Sequence, residues 1–182
     1  MRRICLLLLL LTIAAPVASA EPRIENLSAT AAEHRVSVRF NLAGAFDGGK
    51  TVQALQSGLP TSFTYVVEIY RDRPNWFDEG IARSRIEVIA TFNSVTREYL
   101  LNYRRDRKLV RSETLTSLET LERRMTEVDE QALFEIGDHR PYKLKVRVKA
   151  DFERGFLLYV VPWQISTHWR STRVASTPEA RP

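Results

Sequence analysis

From Pro141 the chain reads PYKLKVRVKADFE, and no other stretch restricts the fold as much. Leu144, Val146, Val148 and Ala150 occupy alternate positions, with Lys143, Lys145, Arg147 and Lys149 set between them. A helix would scatter both sets around its circumference, whereas a strand sends one set to each face. The segment is therefore a strand with one face on a core and four like charges on the other. Those charges repel one another at two-residue spacing. Carboxylates such as Glu68, Glu87 or Glu98 on neighbouring strands, or water and salt, answer the repulsion if the face is merely solvated. An anionic partner answers it if the face is a contact surface.

The same period recurs along the chain. Val36, Val38, Phe40 and Leu42 alternate with polar residues, as do Phe63, Tyr65, Val67 and Ile69. Strands are also predicted over Ile81 to Thr91, Thr96 to Tyr103 and Lys108 to Ser112, with weaker ones over Arg23 to Ala31 and Gln164 to Trp169. The tip between two of them, Arg104 to Arg107, has no glycine, so more than two residues are expected to make the turn. Gly155 interrupts the pattern after the basic strand, and Pro162 stops the apolar run from Phe156.

Two segments follow helical spacing instead. Lys50 to Ser57 offers Val52 and Leu55 as an inward pair. Leu115, Leu118, Leu121, Met125 and Val128 form a longer stripe, with Thr116 and Glu119 spaced for a capping box. Gly58 is placed to take a left-handed conformation after the first helix, and Pro60 cannot continue it, so both are expected at a structural junction. The expected class is α+β, mainly antiparallel β: a sandwich-like sheet of about seven strands with one amphipathic helix and one short helix. Strand-helix-strand units with glycine-rich turns are missing, which argues against a doubly wound parallel sheet.

The ends locate the protein. Arg2 and Arg3 precede an apolar run from Ile4 to Ala15, and Ala18-Ser19-Ala20 completes the pattern of an export signal cleaved after Ala20. Cys5 lies before the apolar run, not after it, which argues against a lipoprotein. The expected organisation is a signal peptide over 1–20, a single β-rich domain over 21–170, and a disordered tail over 171–182, rich in Ser, Thr, Ala and Pro. Of the 182 residues, 182 − 20 = 162 then remain, enough for a core without covalent staples. Cys5, the only cysteine, goes with the signal, leaving a thiol-free chain. The formal charge falls from +5 to +3 as Arg2 and Arg3 are lost. The expected location is periplasmic, with an N-terminal inner-membrane anchor as the alternative, and nucleic acid is not an expected partner there.

Residues able to carry chemistry are scattered. His34, His139 and His168 stand far apart and outside any metal-ligand spacing. Asp138-His139 has no recognisable nucleophile, and Asp129 and Glu130 are adjacent, so they face different ways on a helix. No glycine-rich loop is spaced to cradle a phosphate. No catalytic, cofactor-binding or metal-binding residue is therefore expected, and the chain is read as a non-enzyme. Trp76, in a loop from Arg71 to Glu79, adds an aromatic of the kind used at interfaces, and Trp163 and Trp169 lie near the end. The candidate contact set is Lys143, Lys145, Arg147, Lys149 and Trp76.

The run ALQSGLPTSFTYVVEIYR at Ala54 to Arg71, the Asn75-Trp76 loop, REYLLNY, SETLTSLETL, PYKLKVRVKAD and the terminal WQISTHWRS together resemble the bacterial family known as domain of unknown function 4390. The A-L-x-S-G-[LIV]-P segment is the most telling part. The resemblance implies an exported or membrane-associated protein without an established activity, encoded beside a membrane sensor kinase of the nitrogen-regulation type. The expected function is a non-enzymatic periplasmic interaction domain, with such a kinase as candidate partner. The alternative is a binder of anionic lipid or cell-wall polymer through the basic strand face.

Overall fold

The structure is a computed structural model that describes residues 21–71, 73, 78–157 and 161–176, with the side chains of all of them except 142 and 153–165. The chain runs through β1 (Arg23–Ala32), β2 (Arg35–Ala43), α1 (Lys50–Gln56), β3 (Thr61–Arg71), β4 (Glu79–Asn93), β5 (Glu98–Arg105) and β6 (Lys108–Leu115). It continues through α2 (Leu118–Thr126), β7 (Glu127–Glu135), β8 (Leu144–Leu157), β9 (Val161–Ser166) and β10 (Arg170–Ser176). The strands hydrogen-bond in the order β6-β5-β4-β3-β8-β10-β1-β2-β7, with β9 added to β8.

The sheet is mixed. Every pairing is antiparallel except that of β1 with β10, where Ala29 stands beside Val174 in a parallel ladder. Three expectations are corrected here. About seven strands become ten among the described residues, the sandwich becomes one curled sheet, and Arg170–Ser176 is a strand inserted between β8 and β1 instead of the start of a frayed tail. Val174, 3% exposed, is what holds this last strand down: its side chain joins the core beside Ala29 and Ala31. Residues 177–182 lie outside the described residues.

The curl brings the far ends together. Tyr103 of β5 donates its hydroxyl to Glu130 Oε1 on β7 at 2.8 Å, and Arg105 Nη1 donates to Glu130 Oε2 at 2.9 Å. α2 lies across the opening and packs against β2, β4, β5, β6 and β7. Its Leu121 and Met125 are fully buried, and the Tyr65 hydroxyl donates to the Met125 carbonyl at 2.6 Å. Phe40 meets Tyr65 edge-on at 5.2 Å, and Phe63 meets Phe152 at 5.3 Å, so rings from β2, β3 and β8 interlock inside the curl.

Local chemistry explains the elements and corrects several boundaries. The helical stripe is shorter than its sequence pattern: Leu115 ends β6 and Val128 belongs to β7, a strand with no clear sequence signature. The cap of α2 is Ser117, not Thr116; its hydroxyl accepts from the Thr120 amide at 3.4 Å. The β5–β6 hairpin turns on two residues after all, with Asp106 and Arg107 at φ 49° and 69°. Asp106 offsets this strain because its carboxylate accepts from the Arg85 amide at 2.8 Å and from the Ser84 hydroxyl at 3.1 Å. Gly58, at φ 77°, follows α1 as expected, its amide donating to the Leu55 carbonyl at 2.8 Å, and Pro60 sits just before β3.

Candidate partner-binding face

β8 lies between β3 and β10, so its outward cations meet residues from both neighbours. In the β3–β8 ladder Arg147 is opposite Glu68, Lys145 opposite Tyr70, and Lys149 opposite Val66. On the other side Arg147 faces Ser171 and Lys145 faces Arg173. Only the last of these pairings sets like charges side by side.

Two carboxylates on the sheet answer part of the charge. Arg147 Nη2 lies 2.6 Å from Glu68 Oε2, and its Nε donates to the same oxygen at 2.7 Å. Arg83 of β4 approaches the other oxygen of Glu68 at 3.6 Å, and Lys149 Nζ stands 2.9 Å from Asp151 Oδ1. Arg83, Arg85 and Arg173 of the neighbouring strands join Lys145, Arg147 and Lys149 on this face, with Glu68, Glu87 and Asp151 set among them. Val66 is buried although it points outward; Lys149 and Arg85 flank it in register, where long side chains lay their methylene stems over apolar surface.

Aromatic rings alternate with these cations. The Arg147 guanidinium lies 5.3 Å from the centre of the Tyr70 ring and 4.7 Å from that of Trp169, and Lys149 Nζ lies 5.6 Å from the Trp169 ring. Such distances are those of cation–π attraction. A break in the ladder puts Trp169 there: Thr167 exchanges two hydrogen bonds with Ala150, its amide donating to the carbonyl at 2.8 Å and its hydroxyl accepting from the amide at 3.0 Å. β9 ends at Ser166 and β10 begins at Arg170, so Thr167 to Trp169 leave the strand path. The indole is 41% exposed, a large ring held in place by two cations and still open to solvent. Beside it, a shallow hollow of about 350 Å³ is lined by Glu68, Tyr70, Gly80, Arg83 and Arg147.

The sequence-derived set is only partly assembled. Lys145, Arg147 and Lys149 share the face; Lys143 does not, because Pro141–Lys143 form a 3-10 turn and β8 starts at Leu144. Trp76 and the side chain of Trp163 lie outside the described residues. Gly58 and Pro60 sit at the start of β3, about 30 Å along the strand from Tyr70, and take no part. Glu68 answers Arg147 from the neighbouring strand as expected, whereas Tyr70, Arg83 and Trp169 are members outside the sequence-derived set. Glu68 and Tyr70 share the outward phase of β3, a visible signal, but which strand lies beside β3 is not written in that phase.

The histidines go to separate places. His34 Nδ1 pairs with the Gly137 carbonyl at 2.8 Å, Arg71 Nη2 donates to His139 Nδ1 at 2.6 Å, and His168 is exposed beside Trp169 in the chain. Among the described residues no three His, Cys, Asp or Glu side chains gather as metal ligands.

Fold and face together define a mainly β protein built on one curled mixed sheet, with cations and aromatic rings interleaved on its outer β3–β8–β10 face. The chain belongs to the family described as domain of unknown function DUF4390, which it matches over residues 19–172. No curated protein and no solved structure matches it.

Proposed function

We propose that this protein is an exported, non-enzymatic interaction domain whose outer β3–β8–β10 face docks on an acidic surface of an envelope protein, a membrane sensor kinase being the candidate. The observation that carries this is Trp169, held open to solvent between Arg147 and Lys149 on a strand face rich in arginine and lysine. An indole flanked by cations suits a partner that offers an apolar pocket rimmed with carboxylates: the ring supplies buried area and the cations fix orientation. An anionic lipid or polymer surface is the second reading, favoured by the same combination of tryptophan with lysine and arginine.

The test uses variants that spare the fold. Arg147 is a poor choice, since its loss leaves Glu68 without its closest cation. Trp169→Ala and Lys145→Glu change the face while leaving that pair intact. Crosslinking capture from the native envelope is expected to recover a membrane protein with the unaltered chain, and each variant is expected to recover at least tenfold less at unchanged melting temperature. Equal recovery with all three chains removes the face from the function. Flotation with anionic vesicles that is lost in high salt, without protein capture, selects the second reading.

A further inference from the structure

β6 closes one end of the strand order, and β5 is its only strand partner among the described residues. Lys108 to Ser112 are exposed on both faces of the strand, including Leu109 at 60% and Val110 at 53%. The other end of the path differs: β7 has Ala132 at φ 52° and a register shift against β2, irregularities that spoil an edge as a template. β6 has a bulge only near its start, between the pairs Tyr103–Arg111 and Arg104–Leu109. Val110 is the extra residue of that bulge, and from Arg111 to Thr114 the strand is regular, with one edge unpaired among the described residues.

The centre of that edge, Arg111-Ser112-Glu113, is self-complementary when two copies run antiparallel about Ser112. Ser112 then faces Ser112 of the second copy, and Arg111 faces Glu113 twice. Arg111 and Glu113 project on one face, where Arg111 Nε already lies 2.9 Å from Glu113 Oε1 within the strand. Pairing turns this single contact into an alternating row of two arginines and two glutamates. Small serines at the axis cause no clash, and opposite charges facing each other beside them favour the pairing. Shifting the register by one residue would set Arg111 opposite Ser112 and lose the charge match.

We infer that the β6 edge is a self-association surface, which joins two copies of this chain about a two-fold axis through Ser112 into one continuous sheet. One short strand from each copy buries less than the roughly 1,600 Å² of a standard stable interface, so the dimer is weak, with a dissociation constant on the order of 100 µM. The interaction is independent of the basic face, because β6 and β8 are separated by β5, β4 and β3.

Sedimentation equilibrium of the full chain between about 10 and about 500 µM, a span bracketing that constant, is expected to show the mass rising toward twice the monomer. Ser112→Lys, which sets two ammonium groups across the axis, is expected to remain monomeric at every concentration with unchanged circular dichroism. In a Cys5→Ser background, Ser112→Cys is expected to give a disulfide dimer under mild oxidation at least tenfold faster than Lys108→Cys. A monomer at about 500 µM, a dimer indifferent to Ser112→Lys, or equal crosslinking at the two cysteine positions overturns the inference.

Discussion

Tyr103 shows how one side chain couples chemistry to closure of the sheet. Its hydroxyl is 2.8 Å from Glu130, and Arg111 covers its ring at 5.2 Å. Its pKa lies far above the ordinary tyrosine value: burial disfavours the phenolate first, then the negative charge and the hydrogen bond of Glu130 keep the proton in place. Tyr65 is raised as well, through burial and then the charge of Tyr103. The unfolded chain therefore releases these protons near pH 10 while the folded chain retains them. Each tyrosine's contribution is complete below about pH 10 and falls above it by up to about 1.4 kcal/mol per pH unit. Tyr103→Phe is expected to cost about 1–2 kcal/mol at pH 8, since Glu130 loses a donor. The gap between variant and unaltered chain should then narrow between pH 10 and 11, which urea unfolding at several pH values would register; a gap independent of pH refutes the assignment.

At the level of elements, the β5–β6 hairpin and the α2–β7 junction show what was legible and why. Alternation was read correctly in β2, β3, β4, β5 and β8, where one face is apolar without interruption, as in Val36, Val38, Phe40 and Leu42. β7 escaped because its apolar set is sparse: Val128 continues the helical stripe of α2, and the irregularity at Ala132 breaks the period before Phe134. Of the candidate face, the outward cations of β8 and the answering carboxylate Glu68 were legible in period two, whereas Arg83 and Trp169 depend on strand order and on a ladder break at Thr167, neither of which leaves a local mark. The two-residue hairpin was misjudged for a related reason. A turn with two positive φ values usually signals itself by glycine, and here Asp106 supplies hydrogen bonds in its place. Arg107 makes no comparable compensation at φ 69°, so Arg107→Gly is expected to stabilise the protein by about 0.5–1 kcal/mol in urea unfolding. A destabilisation would mean that the arginine side chain contributes more than its backbone strain costs.

Across the whole molecule, stability depends on how the curled sheet is closed, because β6 and β7 end the strand order without a ladder between them. Closure rests on α2, whose Leu121 and Met125 enter the core, and on Glu130, which receives both Tyr103 and Arg105. The adjacent Asp129 also binds an arginine, Arg39 Nη2 at 2.7 Å, and a count of ion pairs would rank the two carboxylates equally. Their surroundings differ. The Glu130 side chain is 14% exposed and bridges strands from opposite ends of the path, whereas Asp129 is 49% exposed and meets Arg39 of β2, already its ladder neighbour, and Gln131 of its own strand. Removing Glu130 strands a buried hydroxyl and a guanidinium that is itself partly wet, so Glu130→Ala is expected to cost about 2–3 kcal/mol. Asp129→Ala, which breaks a pair largely screened by water, should cost less than about 1 kcal/mol. Glu130→Gln retains an acceptor for Tyr103 but not the charge for Arg105, and should fall between them. Hydrogen exchange gives the structural readout: amides of β7 are expected to lose protection in Glu130→Ala while those of β3 and β8 keep theirs. Equal costs for the two alanine variants would mean that α2 alone closes the sheet.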